Sequence, residues 1–193
     1  LVNSEIRKKI RKVKKKRKFI NIKNQNSIID KLEFTLTHDQ KKALQEINKD
    51  LNSTNKMFRL LQGDVGSGKT IVSLIAALNT INSGFQVAFM APTEILARQH
   101  YNLAKKIFSE TKKIEIISGK SEYKEKKEIL KKLENNKVDI IFGTHAIFQK
   151  KVLFNKLGLI IIDEQHKFGV NQRKKLSDKG GPDCDVLLMT ATP

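Results

Sequence analysis

The sequence predicts an α/β domain in which a mostly parallel sheet carries helices on both faces. Short apolar runs alternate with amphipathic stretches along most of the 193 residues. The runs are almost continuously hydrophobic, which is typical of parallel strands buried on both faces. One run leads into a glycine-rich loop and then an apolar helix, a strand–loop–helix order that α/β sheets use at their ligand-binding edge. The chain length suits one such domain with a full core.

The elements follow in order from Thr37, which is a good N-cap residue and predicts a helix start. Gly84 is suited to end the helix that follows the glycine-rich loop. The segment from residue 21 to residue 30 is polar and Asn-rich and reads as a connector. The predicted helices are 37–51, 68–83, 93–108 and 121–135, and the predicted strands are 57–62, 85–91, 113–118, 138–142, 157–163 and 185–190.

The predicted helices differ in how much apolar surface they offer the core. Helix 68–83 is apolar on most sides, so we expect it to be buried. Helix 121–135 is strongly charged and has only three residues to bury, Ile129, Leu130 and Leu133. For helix 93–108, we expect four apolar residues on the buried side, namely Ile95, Leu96, Leu103 and Ile107.

A phosphate loop is the strongest local signal in the chain. The pattern G-x-x-x-x-G-K-[ST] is formed by Gly63, Asp64, Val65, Gly66, Ser67, Gly68, Lys69 and Thr70. Its glycines allow backbone N–H groups to turn toward phosphate oxygens. The lysine can reach the β- and γ-phosphates, and the threonine hydroxyl can bind Mg²⁺. The helix that follows directs the positive end of its dipole at the anion.

The second strong signal is an apolar run, 159–162, that ends in Asp163 and Glu164. A buried strand of this kind delivers two carboxylates to the carboxyl edge of the sheet, where ligands bind. Since successive side chains point to opposite sides, we expect the two acids to have different tasks. In phosphate-loop enzymes the Asp holds Mg²⁺ and the next acid orients the attacking water.

The order of these motifs resembles the first motor domain of superfamily 2 helicases. The strings that carry the resemblance are GDVGSGKT at 63–70, APTEILARQH at 91–100, GTHA at 143–146, DEQH at 163–166 and TATP at 190–193, with Gln40 upstream. The resemblance implies a RecA-like P-loop NTPase domain over residues 34–193. Residues 1–33 would then be a basic helix and connector, the tail of a preceding linker.

The resemblance implies a role for each matching residue. Gln40 would read adenine, and Lys69, Asp163, Glu164, Gln165 and His166 would act in catalysis on ATP. Thr70 and Asp163 would hold Mg²⁺. The residues implied to contact the DNA backbone are Pro92, Thr93, Glu94, Gly143, Thr144 and His145. Thr190 and Thr192 would couple the state of the nucleotide to DNA contact.

The function implied is the ATP-binding half of an ATP-dependent DNA helicase that remodels branched DNA in fork repair and recombination. Its partners would be branched or double-stranded DNA and, in the same full-length chain, a second motor domain and a wedge domain. The sequence begins at Leu1 and ends at Pro193, so we expect a fragment of such a protein. Because the arginines of the second motor domain are needed for turnover, we expect this fragment to bind Mg-ATP weakly, hydrolyse it poorly and unwind nothing.

Several other functions compete with this interpretation. A transcription-repair coupling translocase shares the motor type, but there we expect a third acid where this chain has Gln165. A primosome helicase differs more around the phosphate loop. A basic module that uses nucleotide only as a structural ligand is disfavoured by the intact acidic pair. A small-molecule kinase leaves the strings at 91–100 and 143–146 unexplained.

The charge of the chain favours a polyanionic partner. The formal net charge is +18, and residues 1–18 carry half of it with ten basic residues and one acid. Ile6, Ile10 and Val13 place a thin apolar stripe on that basic segment, which either contacts nucleic acid or is the solvated end of a linker. An AT-rich genome, which favours lysine at solvated positions, would explain much of the excess. Cys184 is the single cysteine, so a reducing, cytoplasmic location is expected, and no membrane-spanning segment is predicted.

Overall fold

A six-stranded sheet forms the centre of the molecule. The structure, a computed structural model, describes residues 29–30, 32–108, 110, 112–119, 121–164, 180–181 and 183–191. The strands are β1 (Phe58–Gln62), β2 (Gln86–Met90), β3 (Ile114–Ile117), β4 (Ile140–Gly143), β5 (Leu157–Ile162) and β6 (Asp185–Thr190). They lie in the order β1-β6-β5-β2-β4-β3, and every neighbouring pair is parallel.

Four helices and one short 3-10 helix complete the described elements. They are α1 (His38–Leu51), α2 (Lys69–Asn82), α3 (Glu94–Ile107) and α4 (Tyr123–Glu134), with the 3-10 helix at His145–Phe148. Each predicted helix and strand is confirmed to within two residues at either end. The 3-10 helix was not predicted, because four residues are too few to show a helical period.

Both faces of the sheet are covered, as predicted. Alternate strand residues point to opposite faces. Val87 and Phe89 of β2 belong to the core cluster that also contains residues of α1, α2 and α3. Ala88 and Met90 belong to the second cluster, which contains Ile129 and other residues of α4, the 3-10 helix and the segment that follows it. The domain therefore has three layers, and the loops at the strand ends lie between the two helical layers.

The amino terminus of α1 is fixed by a capping box. The Thr37 hydroxyl accepts from the backbone N–H of Gln40 at 3.3 Å, and the Gln40 side chain accepts from the backbone N–H of Thr37 at 2.9 Å. Such a cap contributes about 1 kcal/mol to the stability of the helix. It also fixes the position of Gln40, whose amide faces the phosphate loop.

Helix α2 is buried along nearly its whole length. All residues from Val72 to Ile81 are buried, so the expectation of an apolar, enclosed helix is confirmed. At its carboxyl end Ser83 is the cap and Gly84 follows with φ 83°, a left-handed conformation that suits glycine.

The expectation for α3 was wrong at one position. Ile95 is 74% exposed, whereas Ala97, His100 and Ala104 are the buried residues of the helix. At 100° per residue, Ile95 lies about 200° from Ala97 around the axis and so faces solvent. Leu103 and Ile107 do pack against the core, as expected.

The basic segment lies outside the described residues, so its predicted helix and its contact with nucleic acid stay predictions. The same holds for the boundary between residues 1–33 and residues 34–193. In the part of the chain that the structure describes, no helix combines the length and the apolar character needed to cross a bilayer.

Candidate active site

All the predicted site residues that the structure describes, except Gln40 on α1, lie at one edge of the sheet. Because the six strands are parallel, their carboxyl ends meet at that edge. The strand order divides it into two halves. The ends of β1, β6 and β5, with the loop 63–68, form what we call the phosphate-loop half. The ends of β2, β4 and β3, with the start of α3, form the α3 half.

The phosphate loop is held closed by its own lysine. The Lys69 ammonium donates to the backbone oxygens of Gly63 and Asp64, both at 2.7 Å. Gly66 and Gly68 adopt φ angles of 80° and 81°, which side chains disfavour. The loop therefore has the backbone shape that turns N–H groups toward an anion, and the lysine lies across it.

Gln40 connects α1 to this loop. Its amide nitrogen donates to the Ser67 oxygen at 2.9 Å. A Cβ added at Gly68 would lie 2.3 Å from the same nitrogen, so the glycine permits the close approach. The amide thus lies beside the loop, where a nucleotide base could reach it, and its reading of adenine stays a prediction.

The acidic pair lies directly after β5. Asp163 is 8% exposed, and its backbone N–H donates to the Met90 oxygen at 2.9 Å. One carboxylate oxygen accepts from the backbone N–H of Glu164 at 3.0 Å, and the other accepts from His100 Nε2 at 2.7 Å. Glu164 has φ 53°, a left-handed conformation that is uncommon for a residue with a side chain and is concentrated at functional sites.

The end of β6 lies between the loop and the acidic pair. The Gly63 N–H donates to the Thr190 oxygen at 3.4 Å, which joins the loop to β6. The Thr190 hydroxyl donates to the Ala191 oxygen at 3.1 Å. Gln165, His166 and Thr192 lie outside the described residues, and their roles stay predictions.

The donor set fits a Mg²⁺-bound triphosphate. Asp163 and Thr70 offer oxygen ligands, which Mg²⁺ prefers, and the loop offers backbone donors for phosphate. Among the described residues, no group of three or more His, Cys, Asp or Glu is placed to hold a metal ion. Mg²⁺ is usually held by one or two carboxylates together with substrate phosphates, so Asp163 and Thr70 are the residues that would hold it here.

On the α3 half, Thr93 caps the start of α3. Its hydroxyl accepts from the Leu96 N–H at 3.3 Å, and the residue is exposed. The carboxylate of Glu94 accepts a hydrogen bond from the backbone N–H of Gly119. The Glu94 side chain therefore joins the start of α3 to the loop after β3. The start of α3, next to the half-buried Pro92, is a helix N-terminus, a feature that can hold an anion, and its contact with a DNA phosphate stays a prediction.

The expectation that 143–145 repeats this arrangement was wrong in one respect. Thr144 makes no side-chain cap, and the His145–Phe148 helix is a single 3-10 turn. The physical reason is that the Ile147 N–H, from which a capping Thr144 hydroxyl would accept, donates to the Thr144 backbone oxygen at 3.1 Å in the 3-10 turn. Close packing accompanies the turn at Gly143, where a Cβ would meet Ile147 at 2.5 Å and the Ile117 oxygen at 2.9 Å.

His100 was not identified from the sequence as a site residue. It lies three residues after Ala97 on the buried side of α3 and reaches across to Asp163, which belongs to the other half of the edge. A polar residue among the buried positions of an amphipathic helix was the available signal, since buried polar groups need partners.

Together, the closed phosphate loop, the acidic strand end and the all-parallel sheet define a RecA-like P-loop NTPase domain. Residues 37–193 match the family model described as DEAD/DEAH box helicase, and the chain belongs to that family. More particularly, it is similar to proteins named ATP-dependent DNA helicase RecG. It is 50% identical to the one from Borreliella burgdorferi and 47% identical to one from Staphylococcus aureus, over 167 residues in each case.

These alignments cover 86% of this chain and 24% of either relative, so the chain spans about a quarter of their length. Among solved structures, the chain resembles "Structure of RecG bound to three-way DNA junction" with a TM-score of 0.87, 43% identity and coverage of 100% of this chain and 26% of that one. The chain also resembles the helicase domain of Hef from Pyrococcus furiosus, with a TM-score of 0.63 and 20% identity. That match covers 80% of this chain and 32% of the Hef chain, and it supports the fold alone. The likeness to RecG thus extends over the described sheet and both halves of its edge.

Proposed function

We propose that this chain is the ATP-binding half of an ATP-dependent DNA helicase that remodels branched DNA, with a role in replication-fork repair and recombination. One observation carries the proposal. A phosphate loop and the Asp163–Glu164 pair share one sheet edge with the capped start of α3. This shared edge supports the proposal that a site for phosphoryl transfer lies next to a site for a nucleic-acid backbone. The similarity to RecG supports a branched substrate.

In the phosphate-loop half, each residue would have a separate task. Lys69 would leave the backbone oxygens of Gly63 and Asp64 for the phosphates, exchanging neutral acceptors for charged ones. Thr70 and Asp163 would hold Mg²⁺, which neutralises phosphate charge when bound. Glu164 would orient the attacking water, while Gln165 and His166 would respond to the γ-phosphate.

In the α3 half, contact with DNA would go to the backbone. The N–H groups at the start of α3 and the Thr93 hydroxyl can hold a phosphate without reading sequence. Pro92, Glu94, Gly143, Thr144 and His145 complete the set proposed from the family pattern. The net charge of +18 would strengthen attraction to DNA at low salt.

The complete machine would include more than this domain. We propose residues 34–193 as the first motor domain and residues 1–33 as the tail of a preceding linker. A second motor domain would supply arginines to the γ-phosphate, an effect of about 10³ to 10⁵ in rate. A wedge domain in the same full-length chain would engage the DNA branch.

The decisive experiment replaces Glu164 by Gln in the full-length protein. The variant should keep its affinity for ATP, because the loop is unchanged, and should lose turnover by about 10² to 10⁴-fold, the usual contribution of such a group. Glu125→Gln, which removes an acid from the first turn of α4, is the matched control and should keep normal turnover.

Two outcomes would contradict the proposal. If neither the unaltered protein nor Glu164→Gln hydrolyses ATP, the chain is a passive binding module, and if both hydrolyse it at the same rate, Glu164 does not orient the attacking water. If the unaltered protein separates linear duplexes as well as three-way junctions of equal length, the branched substrate is wrong and a duplex-opening helicase of the primosome type is favoured.

A further inference from the structure

We propose that His100 is a positioning residue that makes the orientation of the Asp163 carboxylate depend on α3, and so links DNA contact to the Mg²⁺ site. The inference rests on the proposed function and adds a connection between the two halves of the edge. It starts from one contact, the 2.7 Å hydrogen bond between His100 Nε2 and Asp163 Oδ2.

The direction of this hydrogen bond follows from the chemistry of the groups. An ionised carboxylate only accepts hydrogen bonds, so the imidazole Nε2 is the donor. A carboxylate has about four acceptor positions. The backbone N–H of Glu164 and the ring of His100 fill one on each oxygen, which fixes the plane of the group. The other positions remain for water or a metal ion.

The imidazole is itself held in place by packing. His100 is 8% exposed, and its ring centroid lies 4.8 Å from that of Phe89 on β2. Phe89 in turn stacks on Phe142 of β4 at 5.2 Å. Both phenylalanine rings are fully buried. The position of the histidine is therefore determined by α3 and by the strands of the α3 half.

The contact crosses the boundary between the two halves. Strands β5 and β2 are neighbours in the sheet, and Asp163 belongs to one half while His100 belongs to the other. Along α3, His100 lies seven residues after Thr93, a distance of about 10 Å at 1.5 Å per residue. A phosphate bound at the start of α3 would thus act on the same rigid helix that orients Asp163.

The plainest alternative is that His100 is a buried histidine with a satisfied hydrogen bond and no influence on the site. The two possibilities differ in what happens to Mg²⁺. A structural histidine affects only stability. A positioning histidine sets the concentration of Mg²⁺ at which nucleotide binds, and it sets how far DNA shifts that concentration.

The test uses the full-length protein and equilibrium binding of a fluorescent ATP analogue during Mg²⁺ titration, with and without a three-way DNA junction. His100→Leu should raise the Mg²⁺ midpoint by about tenfold or more, the usual effect of removing a hydrogen bond to a metal-binding carboxylate. In the unaltered protein, the junction should lower the midpoint by about fivefold or more, a typical coupling between sites. In His100→Leu, that shift should disappear.

Two further variants serve as controls. His100→Gln places an amide donor at about the position of Nε2 and should restore most of both effects. Tyr101→Leu removes the neighbouring ring, which packs edge-on to Phe142 at 6.1 Å. Among the described residues, Tyr101 makes no hydrogen bond to Asp163. It should leave the Mg²⁺ midpoint unchanged.

An unchanged midpoint and junction shift in His100→Leu would overturn the inference, as would an equal change in Tyr101→Leu. If His100→Leu fails to fold, His100→Gln and the shorter His100→Asn decide. A raised Mg²⁺ midpoint in His100→Asn but not in His100→Gln supports the role of the hydrogen bond. An unchanged Mg²⁺ midpoint in each of the two variants overturns the inference. If every variant still binds the ATP analogue in a Mg²⁺-dependent way, the proposed function stands whatever the result for His100. If the unaltered protein does not bind it, the proposed function and the role of His100 are both refuted.

Discussion

The two halves of the sheet edge are built by different means. In the phosphate-loop half, α2 begins after Gly68 at φ 81° without a side-chain cap, and the helix is buried from Val72 to Ile81. In the α3 half, α3 begins at the hydroxyl cap of Thr93 and buries one side only. The first half therefore depends on backbone shapes that only glycine adopts easily, and the second on side-chain hydrogen bonds. We expect abrupt losses from changes in the first and graded losses from changes in the second.

The largest effect is expected for Gly68→Ala, compared with Gly84→Ala. Both glycines have left-handed φ angles, 81° and 83°, so both substitutions cost about 1–2 kcal/mol of backbone strain. Only at Gly68 does the new Cβ also meet the Gln40 amide. We expect Gly68→Ala to lower nucleotide affinity by about tenfold or more, equivalent to 1.4 kcal/mol, and Gly84→Ala to leave it unchanged.

Nucleotide affinity, measured with the fluorescent analogue, and the midpoint of chemical denaturation check this pair together. Equal nucleotide affinities in the two variants would show that the Gln40 contact does not shape the loop, and the contrast between the halves would lose its basis.

A smaller effect is expected for Thr93→Ala, compared with Thr37→Ala. Each threonine caps a helix by accepting from the N–H three residues on, at 3.3 Å in both cases. Each substitution should therefore cost about 1 kcal/mol of stability. Only Thr93 lies in the α3 half, so only its loss should weaken DNA binding, by about threefold to fivefold for one hydrogen bond to phosphate of about 1 kcal/mol. Fluorescence anisotropy with a labelled duplex measures this, and equal DNA affinities would remove Thr93 from the proposed interface.

Most of the fold could be predicted from the sequence because it depends on local patterns. The apolar runs, the Thr37 and Thr93 caps and the enclosed α2 each follow from residue type and spacing. The exception among helices, Ile95, shows the limit of that method. An apolar residue in the first turn matches the pattern, but only the packing of α3 on β3 and β4 determines which side faces the core.

The candidate site was predictable where a motif is continuous and unpredictable where contacts join distant segments. The phosphate loop and the acidic pair are local strings. The His100–Asp163 hydrogen bond joins residues 63 positions apart, and the contact of Gln40 with Ser67 joins residues 27 apart. Such contacts depend on strand order, which places β5 beside β2, and no spacing within the sequence specifies that order.

The smallest effect, a loss of stability, is expected when the ion pairs of the two halves are removed. Arg59 of β1 binds Glu46 at 2.7 Å and Asp50 at 2.8 Å, both on α1. Burial opposes the charge of Arg59, but the hydrogen bonds and proximity to Asp50 and Glu46 outweigh it and raise its pKa. Because the folded pKa is raised above that of an unfolded arginine, this stabilisation is fully present below the unfolded pKa and is lost only as pH rises through the raised folded pKa.

Arg59→Met should therefore destabilise the domain by up to about 1 kcal/mol throughout the neutral range, and less at high salt. Lys132 of α4 pairs with Glu128 and Glu115 on the surface of the other half, where water screens the charges. Lys132→Met should leave the denaturation midpoint unchanged. A larger loss of stability from Lys132→Met than from Arg59→Met would mean that ion pairs stabilise the α3 half and not the phosphate-loop half.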